Sequence, residues 1–127
     1  MAVRLQTLAV TSGPTMASAT PSLMPEMSLT FRVGVTAPFL VTFSCTLTNT
    51  AKGTNQGDVF LVLDGTADIE TNRQFSIATA IYDCISITKI LWLTPMQHTV
   101  QIFWDCPAQA VICDNISRSL SILEVSL

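Results

Sequence analysis

The chain has 127 residues, of which 49% are hydrophobic and only 12% charged, and its six basic and nine acidic side chains give a net charge of -3. That length supports one domain around one core, and the scattered positions of Arg4, Arg32, Lys52, Arg73, Lys89 and Arg118 leave no basic stripe of the kind that holds nucleic acid. With so little charge, the polar surface falls to Ser, Thr, Asn and Gln, a composition that favours association.

Residues 1–26 are expected to form an extended arm. Within them, TSGPTMASATPSLMPE (11–26) holds three of the six prolines among small polar residues. The apolar run LQTLAV after Arg4 is shorter than the hydrophobic region of a usual secretory signal. The charge-free windows 5–25 and 33–51 are too interrupted by Pro, Gly and hydroxyl residues for a membrane-spanning helix. The expectation is therefore a soluble, leaderless chain that does not engage a membrane.

The folded domain is expected over 27–127. MSLTFRV (27–33) puts Met27, Leu29, Phe31 and Val33 on one side, a period of two that only a strand can use. GVTAP supplies turn residues, and FLVTFSCTL then repeats the alternation with Phe39, Val41, Phe43, Cys45 and Leu47 facing one way. A polar loop is expected over 48–57. DVFLVLDG follows as a strand buried on both faces and ended by a turn at Asp64 and Gly65, with Asp68 and Glu70 solvated. The segment 75–93 reads as two strands broken near Asp83, with Pro95 ending the second. Val100, Ile102 and Trp104, then Leu120 and Ile122, mark two more strands. No helical periodicity competes, so seven or eight short strands predict an all-β sandwich.

Chemistry-bearing residues are sparse. Cys45 and Cys84 lie in apolar strands, where a thiol behaves as a small hydrophobe. Cys106 and Cys113 flank a six-residue loop that could bring them to disulfide distance, although free thiols are the default in a reducing cytoplasm. The four cysteines lack zinc-site spacing and His98 is the only histidine. No serine sits in a glycine-flanked elbow, so no catalytic residue, metal or cofactor is expected. Asp64, Asp68 and Glu70 could offer oxygens to calcium but lack a known loop pattern, and the NIS at 115–117 matches a glycosylation acceptor by chance. The aromatic residues say more. Phe103 and Trp104 must point to opposite faces of one strand, and Phe60, Tyr82 and Trp92 add to them, so one face is expected to meet another chain in a cyclic oligomer.

The segments MSLTFRV, LVTFSCTL, VFLVLDGT, LTPMQHTVQIFW and SRSLSILEV, in this order and spacing, resemble the strands of small jelly-roll domains in tailed-bacteriophage virion proteins. Those domains are similar to the trimeric tumour-necrosis-factor and complement-type head fold. The pieces that carry the resemblance best are 64–66, 98–104 and 117–120, and it spans about 26–125, departing in the glycine-free stretch DCPAQAVICDN. It implies a two-sheet antiparallel jelly roll that assembles as a homotrimer, with the C-terminal strand inside a sheet near the threefold axis. Trp92, Phe103, Leu123 and Val125 are the residues expected at the trimer contact. It implies a structural or adhesive role in a virus particle, and the leading expectation is a phage capsid decoration or cement protein, made in the host cytoplasm and bound to the major capsid protein on the outer capsid surface. The competing expectation is the receptor-binding tip of a head or tail fibre.

Overall fold

The computed structural model describes residues 5–9, 15–113 and 118–125, and among them all regular structure is β. In chain order the strands are β1 (Leu5–Ala9), β2 (Thr15–Met16), β3 (Ser22–Arg32), β4 (Ala37–Asn49), β5 (Asn55–Leu63), β6 (Thr66–Ile77), β7 (Tyr82–Leu93), β8 (Gln97–Asp105), β9 (Val111–Cys113) and β10 (Ser119–Glu124). They pair antiparallel into two sheets, the sandwich that the alternation predicts. One sheet has the order β3-β8-β5-β6. The other is built on the long strand β4, which pairs with β7 from Ala37 to Thr48 along one edge. Along its second edge, β10 and then β9 pair with it in tandem, covered in turn by β1 and β2.

The core lies between the sheets and is drawn from the alternating positions. Phe39, Val41, Phe43, Cys45 and Leu47 of β4 face Val100, Ile102 and Trp104 of β8 and Val59 and Leu61 of β5, with Leu120 and Ile122 of β10 among them. β10 thus lies inside a sheet, hydrogen-bonded on both edges, as the resemblance implies. The edge strand β7 carries Lys89 at an inward position, and its ammonium reaches Asp68 and Glu70 of β6 across the open side of the sandwich. A charge placed inward on an edge strand discourages edge-to-edge pairing with another chain.

The segment expected as a free arm is woven into the domain where it is described. β1 pairs with β10 and β2 with β9, each closing an edge that would otherwise expose unpaired backbone groups. The boundary expected at 26/27 falls inside β3, at a register shift between Leu23 and Ser28 where Glu26 takes a positive φ of 64°. The Pro25–Glu26 composition break marks a bulge in a strand. Two further boundaries move. β4 runs on to Asn49, whose buried side chain donates to the Gly53 and Ile77 carbonyls and accepts from Ala51 N–H and Asn55, so the loop shrinks to 50–54. The strand break lies at 78–81, before Asp83, with Ala80 at φ 60°.

Candidate interaction face

The outward side of the β4 sheet is laid out by register. Across β7, β4 and β10, the rows are Trp92–Pro38, then Ile90–Leu40–Leu123, then Thr88–Thr42–Ser121, then Ser86–Ser44–Ser119. Beyond them come Cys84–Thr46, and Tyr82–Thr48 continued by Ile112 of β9 and Met16 of β2. The face is apolar at both ends with a hydroxyl belt between them, and none of these positions is charged. The belt links its own strands, with Ser44 Oγ 3.3 Å from Ser119 Oγ and Thr46 Oγ1 3.8 Å from Cys84 Sγ. At the ends, large apolar side chains stand in solvent: Trp92 is 63% exposed, Ile90 53%, Tyr82 64% and Met16 52%. Scattered exposed hydrophobes need no explanation, but these gather at the two ends of one charge-free sheet face.

The residues expected at the trimer contact separate here. Trp92 and Leu123 lie on this face, and Val125, whose N–H donates to the Pro38 carbonyl at 2.9 Å, continues it past β10. Phe103 does not join them. It points outward from the other sheet and packs on Phe60, ring centres 6.1 Å apart, while its neighbour Trp104 is buried in the core. The opposite-face reading of the Phe103–Trp104 pair holds, but one contact surface cannot include all four residues.

At one end of the sandwich the β5–β6 hairpin is locked to β8. Asp64 and Gly65 take φ values of 50° and 83°, the paired left-handed conformation of a two-residue hairpin turn. The turn aims the Asp64 carboxylate at β8, where it accepts from Thr99 N–H at 2.8 Å and lies 2.6 Å from His98 Nδ1. His98 Nε2 lies 2.9 Å from the Thr94 carbonyl. Both partners of the ring are acceptors, so the arrangement suits an imidazolium donating from both nitrogens. Burial is the largest influence on His98 and would lower its pKa, but the Asp64 hydrogen bond, the Thr94 carbonyl and the Asp64 charge together hold it above the ordinary histidine value. For Asp64, burial pulls upward, and the Thr99 N–H and His98 outweigh it and hold the carboxyl below its ordinary value.

The signs set a pH window. Stabilisation from a raised histidine is fully present below its unfolded pKa of about 6.5 and is lost as pH rises through the folded value. That from a lowered aspartate is present above about pH 3.9 and is lost as pH falls through the folded value. The pair therefore contributes most between about pH 4 and 6.5. His98→Gln is expected to narrow the gap in melting temperature between pH 6 and pH 9, measured by circular dichroism; an unchanged gap would exclude the charged pair.

All four cysteines are free thiols. Cys45 and Cys113 meet in the interior, and the hydrogen bond between their thiols, followed by burial, pushes Cys45 well above the ordinary thiol range. Cys113 thus faces Cys45. Cys106 is buried at a turn closed by its own carbonyl and Gln109 N–H at 2.8 Å, and Gln109 supplies the positive φ of 53° that a glycine would usually take. Among the described residues no group of three or more His, Cys, Asp or Glu could hold a metal ion. Asp68, expected in solvent, pairs with Lys89 instead. The NIS at 115–117 lies outside the described residues.

No protein-family model matches the sequence, and no curated protein is significantly similar to it. Solved structures do share its fold. A chain of infectious bursal disease virus, Gx strain, aligns with a TM-score of 0.56 at 13% identity over 97% of this chain, which spans 33% of the viral one. A chain of the T13 IBDV viral particle gives 0.54 at 13% identity, with 95% and 31% covered. The Eiger TNF of S. frugiperda gives 0.54 at 12% identity, over 98% of this chain and 93% of that one. Alternating strands, two antiparallel sheets and these neighbours together make the chain a two-sheet jelly-roll sandwich, of a fold found both in virus particles and in a tumour-necrosis-factor protein.

Proposed function

We propose that the protein is a structural component of a virus particle. It is a capsid decoration or cement protein that assembles as a homotrimer through the outward face of the β4 sheet and binds the major capsid protein on the outer surface of the shell. The observation that carries this reading is that face, charge-free over six register rows and apolar at both ends. Buried in an oligomer, it removes apolar surface from water at about 25 cal/mol per Å² without stranding a charge. A closed cyclic assembly repeats one contact between each copy and the next, and the preference for three copies follows the resemblance to trimeric heads. The fold shared with chains of a virus particle supports the setting, and free cysteines suit assembly in a reducing host cytoplasm.

Native mass spectrometry at micromolar concentration is expected to give a trimer. Ile90→Arg, which places a charge in the apolar row Ile90–Leu40–Leu123, is expected to weaken it by at least about a hundredfold while each copy stays folded. A monomeric wild type would remove the reading. Capsids stripped of the protein are expected to bind it saturably and stoichiometrically; binding to host cells alone would replace cement with a receptor-binding tip.

A further inference from the structure

The outer face of the β3-β8-β5-β6 sheet, on the far side of the sandwich, is built differently. A hollow of about 310 Å³ opens there, with Phe60, Ile69 and Pro21 as apolar walls and Asp58, Asp105 and Asn72 among them. Ile69 is 84% exposed although it gains nothing for the fold by standing in water. Asp58 and Asp105 stand directly opposite each other across the β5–β8 pair. Like charges at directly opposed positions destabilise a sheet. The Asp105 carboxylate accepts Asp58 N–H at 3.1 Å, and Asp58 accepts from the Asn72 amide at 3.2 Å. Among the described residues neither aspartate forms an ion pair with a basic side chain. Burial is the largest influence on Asp105, and with the charge of Asp58 it outweighs the hydrogen bond from Asp58 N–H and holds the carboxyl above its ordinary value. Two carboxylates kept together in an apolar hollow are a local conflict of the kind that marks a binding site.

The walls define what relieves it. Calcium takes six to eight oxygens, and this hollow offers two carboxylates and an amide among hydrocarbon. A cation on an aliphatic stem fits better, because the stem lies along apolar surface while its head meets the carboxylates and the face of Phe60. The volume is at the lower end for ligand pockets, about 300–1,000 Å³, and suits one side chain. We propose that this hollow is a docking pocket for a lysine or arginine side chain of a partner protein, its stem against Phe60, Ile69 and Pro21 and its charge between Asp58 and Asp105. The partner is a different chain: the pocket lies on the sheet opposite the proposed homotrimer face and stays open when that face is covered. Nothing in the pocket requires the partner to be a capsid protein.

The test uses the full chain, isotope-labelled, titrated with Nα-acetyl-lysine-N-methylamide, its arginine counterpart and its norleucine counterpart, which has the stem without the charge. Saturable amide shifts at Phe60, Ile69, Asn72 and Asp105 are expected with the two cations, and binding at least about tenfold weaker with norleucine. Asp105→Asn keeps an oxygen for Asp58 N–H, so it is expected to remove the preference for the cations and to raise the melting temperature of the free protein by about 2–4 °C. Asp58→Asn is expected to do the same and guards against a folding artefact in the first variant. Equal binding of norleucine, shifts mapping elsewhere, calcium chloride reproducing the shifts, or both variants melting lower than wild type would each overturn the proposal.

Discussion

A chain stopped after Arg118 is expected not to fold. β10 is hydrogen-bonded on both edges, to β1 and to β4, so its loss strips a partner from two strands at once. It also withdraws Leu120 and Ile122 from the core. Each large-to-small change at such sites costs about 2–5 kcal/mol, against a total stability of about 5–15 kcal/mol for a domain. Far-UV circular dichroism of the truncated chain should therefore lack a sheet signal and show no cooperative thermal transition. Leu120→Ala gives the graded version: a folded protein that is about 2–5 kcal/mol less stable in urea. A cooperative transition in the truncated chain would mean that β10 is an appendage and not part of the sheet.

The second large effect separates two adjacent aromatic residues. Trp104 is 1% exposed and lies in the core between the sheets. Trp104→Ser opens a large cavity and leaves a hydroxyl in it, a loss of about 3–5 kcal/mol or more. Phe103 is half-buried on the outside, with Phe60 as its aromatic neighbour. Phe103→Ser is expected to cost only about 1–2 kcal/mol and to leave the mass of the assembly unchanged, because it faces away from the β4 sheet. Chemical denaturation and native mass spectrometry read the two quantities independently. Equal losses of stability would contradict the opposite-face arrangement, and dissociation in Phe103→Ser would move the subunit contact to the other sheet.

Strands with one face in the core were legible because burial writes itself into the alternation. Phe39, Val41, Phe43, Cys45 and Leu47 were all placed inward, and all are buried. The first nine residues of β6 were not legible, since TADIETNRQ lies at an edge and presents few apolar residues. The available signal was the Asp64–Gly65 dipeptide, whose paired positive φ requires a returning strand. β1 and β2 were hidden for a related reason: strands of five and two residues are too short to show a period, and they are edge strands placed by hydrogen bonds to distant segments. The candidate face was half legible. Parity put Phe103 and Trp104 on opposite sides, but which sheet β8 joins depends on pairings between distant segments, and local pattern carries no information about them. The carboxylate pair in the outer hollow was invisible for that reason, since 47 residues separate Asp58 from Asp105.

The tandem pairing along β4 also sets an order of events at the ribosome. β4 ends at Asn49 and β10 begins at Ser119, 70 residues later. While the chain is being made, β7 can close one edge of β4, but the edge reserved for β10 stays open until β10 emerges. An open edge on β4, the longest of the described strands, is a template for any other β-segment nearby, including the same strand on a neighbouring nascent chain. Over that interval, pairing with another chain competes with folding until β10 arrives.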